Sequence, residues 1–129
     1  MSNEYIMPIV EAGRADRIEV SVFATMLSDP AYFAGALSSG LGSHHFTISP
    51  LQYMMRIASS QFATRGKVSY NSIHAEIVET KSWTKAGGLD FMLKVSSEKS
   101  DPYMFEDNIY RLFEAREFKE DHEAWWDIN

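Results

Sequence analysis

The sequence contains no cysteine, no apolar run approaching eighteen residues and no secretory signal. The lack of cysteine excludes disulfides and thiolate metal sites. The lack of a long apolar run excludes a transmembrane helix. The opening residues, MSNEYIMPIVEAGR, have neither the basic start nor the apolar core of a signal peptide. These absences predict a cytoplasmic protein with no membrane contact, in a bacterium or in a phage-infected bacterial cell.

A cluster of basic residues is also missing. Residues 1–97 carry eight acidic and eight basic side chains, whereas ten acidic and only four basic side chains follow from Glu98 onward. The C-terminal segment therefore holds the whole formal net charge of −6. Proteins that hold DNA by its phosphates need grouped Lys and Arg, because counterion release drives that binding. We expect no direct DNA binding.

Helical patterns fill most of the 129 residues. A chain of this length, in which 45% of the residues are hydrophobic, fits one domain with its own core. Each of six apolar stretches of helical period follows a helix-start signal. The signals are Asp16 with Glu19 as a capping box, Asp29-Pro30, Ser49-Pro50, Ser69, Gly87-Gly88 and Asp101-Pro102. No stretch alternates as a strand would, so the fold class predicted is all-α, a small helical globule of about four to six helices.

The short polar turn at residues 96–100 predicts that the last two helices form a C-terminal antiparallel helical hairpin. The predicted organisation is a flexible arm at 1–15, a helical globule at 16–86, and a hairpin with an acidic C-terminal helix at 87–129. In the fourth helix, Ile73, Ile77 and Val78 are expected to point inward.

Two groups of residues suggest chemistry at first sight. Thr64-Arg65-Gly66-Lys67-Val68-Ser69 is similar to a phosphate-binding loop, but residue 61 is Gln and Val68 separates Lys67 from Ser69. A loop in which Gly66 ends a helix is the better interpretation. His44, His45 and His74 lack the spacing of a zinc site. We predict no metal, no cofactor and no catalytic residue.

The acidic C-terminal helix also carries large aromatic side chains. Phe118, Trp125 and Trp126 are candidate partner-binding residues, because one long helix cannot bury aromatics on both of its sides. The acidic residues from Glu114 to Asp127 are either a solvated helix face or a surface that docks on a basic partner.

Five segments in order resemble the N-terminal domain of DnaB-type replicative DNA helicases. They cover roughly residues 16–118 and are 18–27, 46–57, 66–77, 87–93 and 108–116, which begin IEVSVF, FTISPL, GKVSYN, GGLDFM and NIYRLF. The chain departs from that family in three respects. It has Ser-Val-Phe-Ala at 21–24, its tail is acidic and aromatic, and it holds no linker or motor segment.

The resemblance implies a non-catalytic assembly and docking domain of a helicase. In that family helical hairpins pair into dimers, three dimers form a collar, and the collar receives primase and helicase loaders. The hairpin contacts implied for this chain are Leu89, Met92, Leu93, Ile109, Leu112 and Phe113. The expected partners are other copies of the chain and a primase, a helicase loader or a host helicase. If the chain is part of a longer protein, the parent would be an ATP-dependent helicase.

An alternative hypothesis remains open. In this hypothesis the chain is a stand-alone all-α protein, encoded by a phage, that binds and regulates or inhibits a host replication protein.

Overall fold

A computed structural model describes the backbone of residues 17–128 and the side chains of residues 17–116. Within this part of the chain the regular structure is entirely helical, which confirms the all-α prediction. The helices are α1 (residues 17–28), α2 (Pro30–Ser38), α3 (Ser49–Arg65), α4 (Tyr70–Thr80), α5 (Gly88–Ser97) and α6 (Phe105–Ile128), with one 3-10 turn at Ser43–His45 between α2 and α3.

The ends of the middle helices are set by local side-chain and backbone chemistry. The Asp29 carboxylate accepts a hydrogen bond from the Ala31 N–H at 2.8 Å, and Pro30 occupies the first turn of α2. Gly66 ends α3 in the left-handed conformation, with φ 72°, and donates its N–H to Phe62. The Ser69 hydroxyl accepts from the Ser72 N–H and begins α4. These three predicted boundaries are confirmed.

The hydrophobic core surrounds α3. Leu51, Met54, Met55 and Ala58 are completely buried along one face of this helix, as their spacing predicts. The Phe62 ring, half-buried on the same helix, packs on the Phe33 ring of α2 with the centroids 4.8 Å apart. Further large, fully buried hydrophobic side chains come from α1, α2, α4, α5 and the segment before α3, and are Val20, Phe23, Met26, Phe33, Phe46, Ile73, Ile77 and Met92.

Glu19 is a buried acidic residue of α1, at 1% exposure. Its predicted capping-box partner, Asp16, lies outside the described residues, so the capping box stays a prediction. The Glu19 carboxylate accepts from the Thr47 N–H at 2.7 Å, from the Ile48 N–H at 3.2 Å and from the Thr47 hydroxyl. A buried carboxylate needs such donors, and the result is a connection from α1 to the residues that precede α3.

Two details of the structure correct the predictions. Val78 is 46% exposed and does not point inward. The last helix begins at Phe105, after a turn at residues 102–104, and not at Asp101-Pro102. The Asp101 carboxylate accepts from the Met104 N–H at 3.2 Å, while the Asp101 N–H donates to the Thr25 hydroxyl of α1 at 2.8 Å. These bonds hold the turn against α1, so regular helix starts three residues later.

The first half of α6 packs against α2 and the 3-10 turn. The Phe105 ring meets the Tyr32 ring edge to face at 5.3 Å, and the Phe113 ring meets the His45 ring in the same way at 4.8 Å. Neither of these ring contacts involves α5. The pairing of α5 with α6 in an antiparallel hairpin therefore stays a prediction.

Candidate protein-docking surface

The histidines lie in two different surroundings. His44 and His45 stack on each other in the 3-10 turn, with ring centroids 4.0 Å apart. His74 lies on α4, where its ring contacts Tyr70 and Trp83. Over the residues that the structure describes, no group of three His, Asp or Glu side chains is arranged to hold a metal ion.

The loop from Thr64 to Ser69 joins two helices, α3 and α4, whereas a phosphate-binding loop joins a strand to a helix. The Ser69 hydroxyl already serves as the N-cap of α4, and Gly66 provides the left-handed residue that ends α3. The loop therefore performs the helix-ending role predicted for it.

The start of α5 depends on a glycine that cannot be replaced without strain. Gly87 has φ 85°, and a Cβ at this position would lie 2.9 Å from the Cβ of Phe91. Further along α5, Met92 and Val95 are buried in the core. The opposite side of the helix then faces solvent.

Leu89 and Leu93 lie on that outer side of α5. Their side chains are 57% and 55% exposed, and they are one helical turn apart. Two large aliphatic side chains at neighbouring positions form a small apolar patch, which we call the Leu89–Leu93 face. Apolar groups on a surface bind other apolar groups when a partner covers them.

The structure separates the six predicted self-association residues. Met92, Ile109 and Leu112 are between 0% and 7% exposed and belong to the core of this same chain. Phe113 is half-buried against His45. Of these six residues, Leu89 and Leu93 are the two whose side chains are more than half exposed in this structure.

The three predicted partner-binding aromatics, Phe118, Trp125 and Trp126, lie outside the residues whose side chains are described. The backbone of α6 continues past them to Ile128. Their role, and that of the acidic residues around them, stays a prediction.

Sequence reasoning missed a second exposed region, around the beginning of α6. Tyr103 is 92% exposed and Tyr110 is 62% exposed. They lie beside two neighbouring cavities between α2 and α6, with volumes of about 530 and 280 Å³. Helical spacing could have indicated Tyr110, since Ile109 and Leu112 mark the buried side of the helix and Tyr110 lies away from it.

Comparison of the chain with protein-family models, curated proteins and solved structures finds no match. Among the helices of residues 17–128, none has the length and apolar character that crossing a membrane requires.

Proposed function

We propose that this chain is a non-catalytic assembly and protein-docking domain of a replicative DNA helicase, which associates with itself and binds primase or a helicase loader. The observation that carries the proposal is the Leu89–Leu93 face on a helix whose other side is anchored in the core. The family resemblance of the sequence supplies the replication context.

The size of the face indicates what kind of contact it could make. Burying one leucine completely contributes about 2 kcal/mol, so covering the exposed halves of Leu89 and Leu93 contributes about 2 kcal/mol per subunit and about 4 kcal/mol in a twofold pair. That free energy corresponds to a millimolar complex, before the cost of ordering the partners. The two leucines would therefore anchor a wider interface.

Sedimentation velocity over a range of protein concentrations tests self-association. We expect the unmodified chain to form dimers or larger species, and the double variant Leu89→Asp with Leu93→Asp to remain a monomer of unchanged helix content. Ala34→Asp with Ala63→Asp adds the same two charges at exposed helical positions elsewhere and should still associate. A monomeric unmodified chain at high concentration would exclude assembly through this face.

Leu112→Asp is unsuitable for this test, because Leu112 is only 6% exposed and a buried charge would unfold the domain. Binding to purified primase, loader and helicase, measured for each in turn, tests docking. ATP turnover by the purified chain would contradict a non-catalytic function.

The second candidate is the stand-alone regulator of a host replication protein. It is favoured by the charge distribution, since the ten acidic side chains from Glu98 onward suit a contact with a basic protein surface. The two candidates differ in outcome. A regulator would be a monomer that binds primase or helicase and lowers its activity, whereas a collar domain would self-associate and bind without inhibition.

A further inference from the structure

The surface between α2 and the beginning of α6 forms a groove with aromatic and aliphatic walls. Tyr32 and Gly35 line it on the α2 side, and Pro102, Phe105 and Ile109 line it on the α6 side. A second cavity, further along α6, is bounded by Tyr110 and Phe113. Ser39, Glu106 and Ile109 line both cavities, so the two adjoin, and together we call them the α2–α6 groove.

The length of this groove suits a helical partner. From Phe105 to Phe113 the axis of α6 advances about 12 Å, at about 1.5 Å per residue. That span equals two to three turns of a helix lying in the groove, which is the usual extent of a helix-in-groove contact.

Gly35 keeps one wall of the groove open. It lies in the interior of α2, where glycine destabilises a helix by about 0.5–1 kcal/mol relative to alanine. The fold does not require glycine here, since its φ is not in the left-handed region and an added Cβ would meet no atom within 4 Å. The folded domain alone therefore gives no reason for this glycine, whereas a partner that approaches the backbone of α2 closely does.

The charges around the groove are of one sign. Glu106 and Asp107 line it, and among the residues whose side chains the structure describes, no Lys, Arg or His lines either cavity. Both acids also lie in the first turn of α6, where they favour the helix dipole. That local role accounts for their presence in the first turn, and it leaves the groove negatively charged. A basic partner complements this charge.

The exposed tyrosines fit the same purpose. Tyr103, at 92% exposure, lines the groove, and Tyr110, at 62% exposure, lines its second cavity. Tyrosine is enriched at the centres of protein interfaces, because it offers a large rigid surface with a polar end.

We propose that the α2–α6 groove binds a basic amphipathic helix of another protein, with the apolar face of that helix against the rings of Tyr32, Tyr103 and Tyr110 and its Lys or Arg side chains near Glu106 and Asp107. The groove is lined by residues of α2, of α6 and of the segments that follow α2 and precede α6, whereas the Leu89–Leu93 face belongs to α5. The proposal therefore goes beyond self-association and does not depend on it.

The test uses the full chain labelled with ¹⁵N and a synthetic 14-residue amphipathic peptide of Leu and Lys as the probe. Amide chemical shifts are followed during titration, with a peptide in which Glu replaces each Lys as the control. We expect the Lys peptide to shift resonances in residues 31–39 and 103–113, and the Glu peptide to shift none of these.

Variants then identify the contacts. Gly35→Gln fills the wall with an uncharged helix-forming side chain, and Glu106→Lys with Asp107→Lys reverses the charge. Each should weaken binding at least tenfold. Glu79→Lys with Asp90→Lys makes the same charge change at exposed positions on α4 and α5 and should leave binding within about twofold.

Two results would overturn the proposal. The first is a titration in which shifts are absent or are confined to residues 114–128, which would show that only the acidic end of α6 attracts the peptide. The second is equal weakening by the groove variants and by the matched control. Either result would leave the sedimentation test of the Leu89–Leu93 face unaffected, so the failure of one proposal can be distinguished from the failure of the other.

Discussion

Replacing Glu19 with alanine should weaken the fold more than any change at an exposed acidic residue. Glu19 is only 1% exposed, and its carboxylate accepts hydrogen bonds from the Thr47 N–H, the Ile48 N–H and the Thr47 hydroxyl. A hydrogen bond to a charged group contributes about 1.5–3 kcal/mol. Thr47 is exposed, so in the variant water can accept hydrogen bonds from the Thr47 N–H and hydroxyl in place of the missing carboxylate. We therefore expect a loss of about 3–4 kcal/mol, below the simple sum for three bonds.

The conservative variant Glu19→Gln separates hydrogen bonding from packing. A glutamine has the same length, its carbonyl can still accept the two backbone N–H groups, and its amide can donate to the Thr47 hydroxyl. It loses only the charge assistance, and we expect a loss of about 1–2 kcal/mol. Thr47→Val removes one donor at an exposed position and should cost about 0.5–1 kcal/mol.

Urea unfolding followed by circular dichroism measures these differences, provided that the slope against denaturant stays constant. Hydrogen exchange at the Thr47 and Ile48 amides should also become faster in Glu19→Ala, because their acceptor is gone. The control is Asp90→Ala, an exposed acid on α5, which should change stability by less than about 0.5 kcal/mol. The reasoning is refuted if Glu19→Ala is as stable as that control, or if Glu19→Gln is the less stable of the two Glu19 variants.

Three further predictions concern single positions. Gly35→Ala should raise the free energy of unfolding by about 0.5–1 kcal/mol in urea, since the added methyl meets no neighbour; a loss of stability would show that the site is crowded. Gly87→Ala should lower it by about 2–3 kcal/mol, because of the positive φ and the contact with Phe91, whereas Gly88→Ala, also at positive φ but with open space around it, should cost only about 1 kcal/mol. Burial raises the pKa of Tyr70 above 10.0, against the opposing effect of a hydrogen bond with Ser96. The stability that the protonated Tyr70 side chain contributes is therefore fully present below pH 10.0 and is lost as the pH rises through the higher pKa of the folded state. Between about pH 9 and pH 11, the free energy of unfolding in urea should therefore fall less for Tyr70→Phe than for the unmodified chain. An equal or larger fall for Tyr70→Phe would contradict this assignment.

The proposed binding surfaces could be predicted only in part from the sequence. Leu89 and Leu93 were predicted together with Met92, because all three are apolar and close along one helix. Helical spacing identifies an apolar side, but it does not say whether the same chain or a partner covers it. The structure shows that Met92 is covered by this chain and that the two leucines are not.

The α2–α6 groove was not predicted, for a related reason. Its walls come from segments about seventy residues apart, and no local pattern reports that such segments meet. Tyr103 and Tyr110 are ordinary residues in the sequence and become notable only through their exposure beside a cavity. Gly35 likewise gains its meaning from the open space around it.

The sequence by itself determined the all-α class and several helix ends, because these depend on neighbouring residues. Asp29, Gly66 and Ser69 act on backbone groups no more than four positions away, and apolar side chains repeat along each helix with its own period. Only the tertiary structure decided that Glu19 is buried under Thr47, that Val78 is exposed, and which apolar side chains remain for a partner. Those outcomes depend on contacts between residues far apart in the chain. The residues that neighbour a carboxylate or a leucine in the sequence do not determine which distant residue will pack against it.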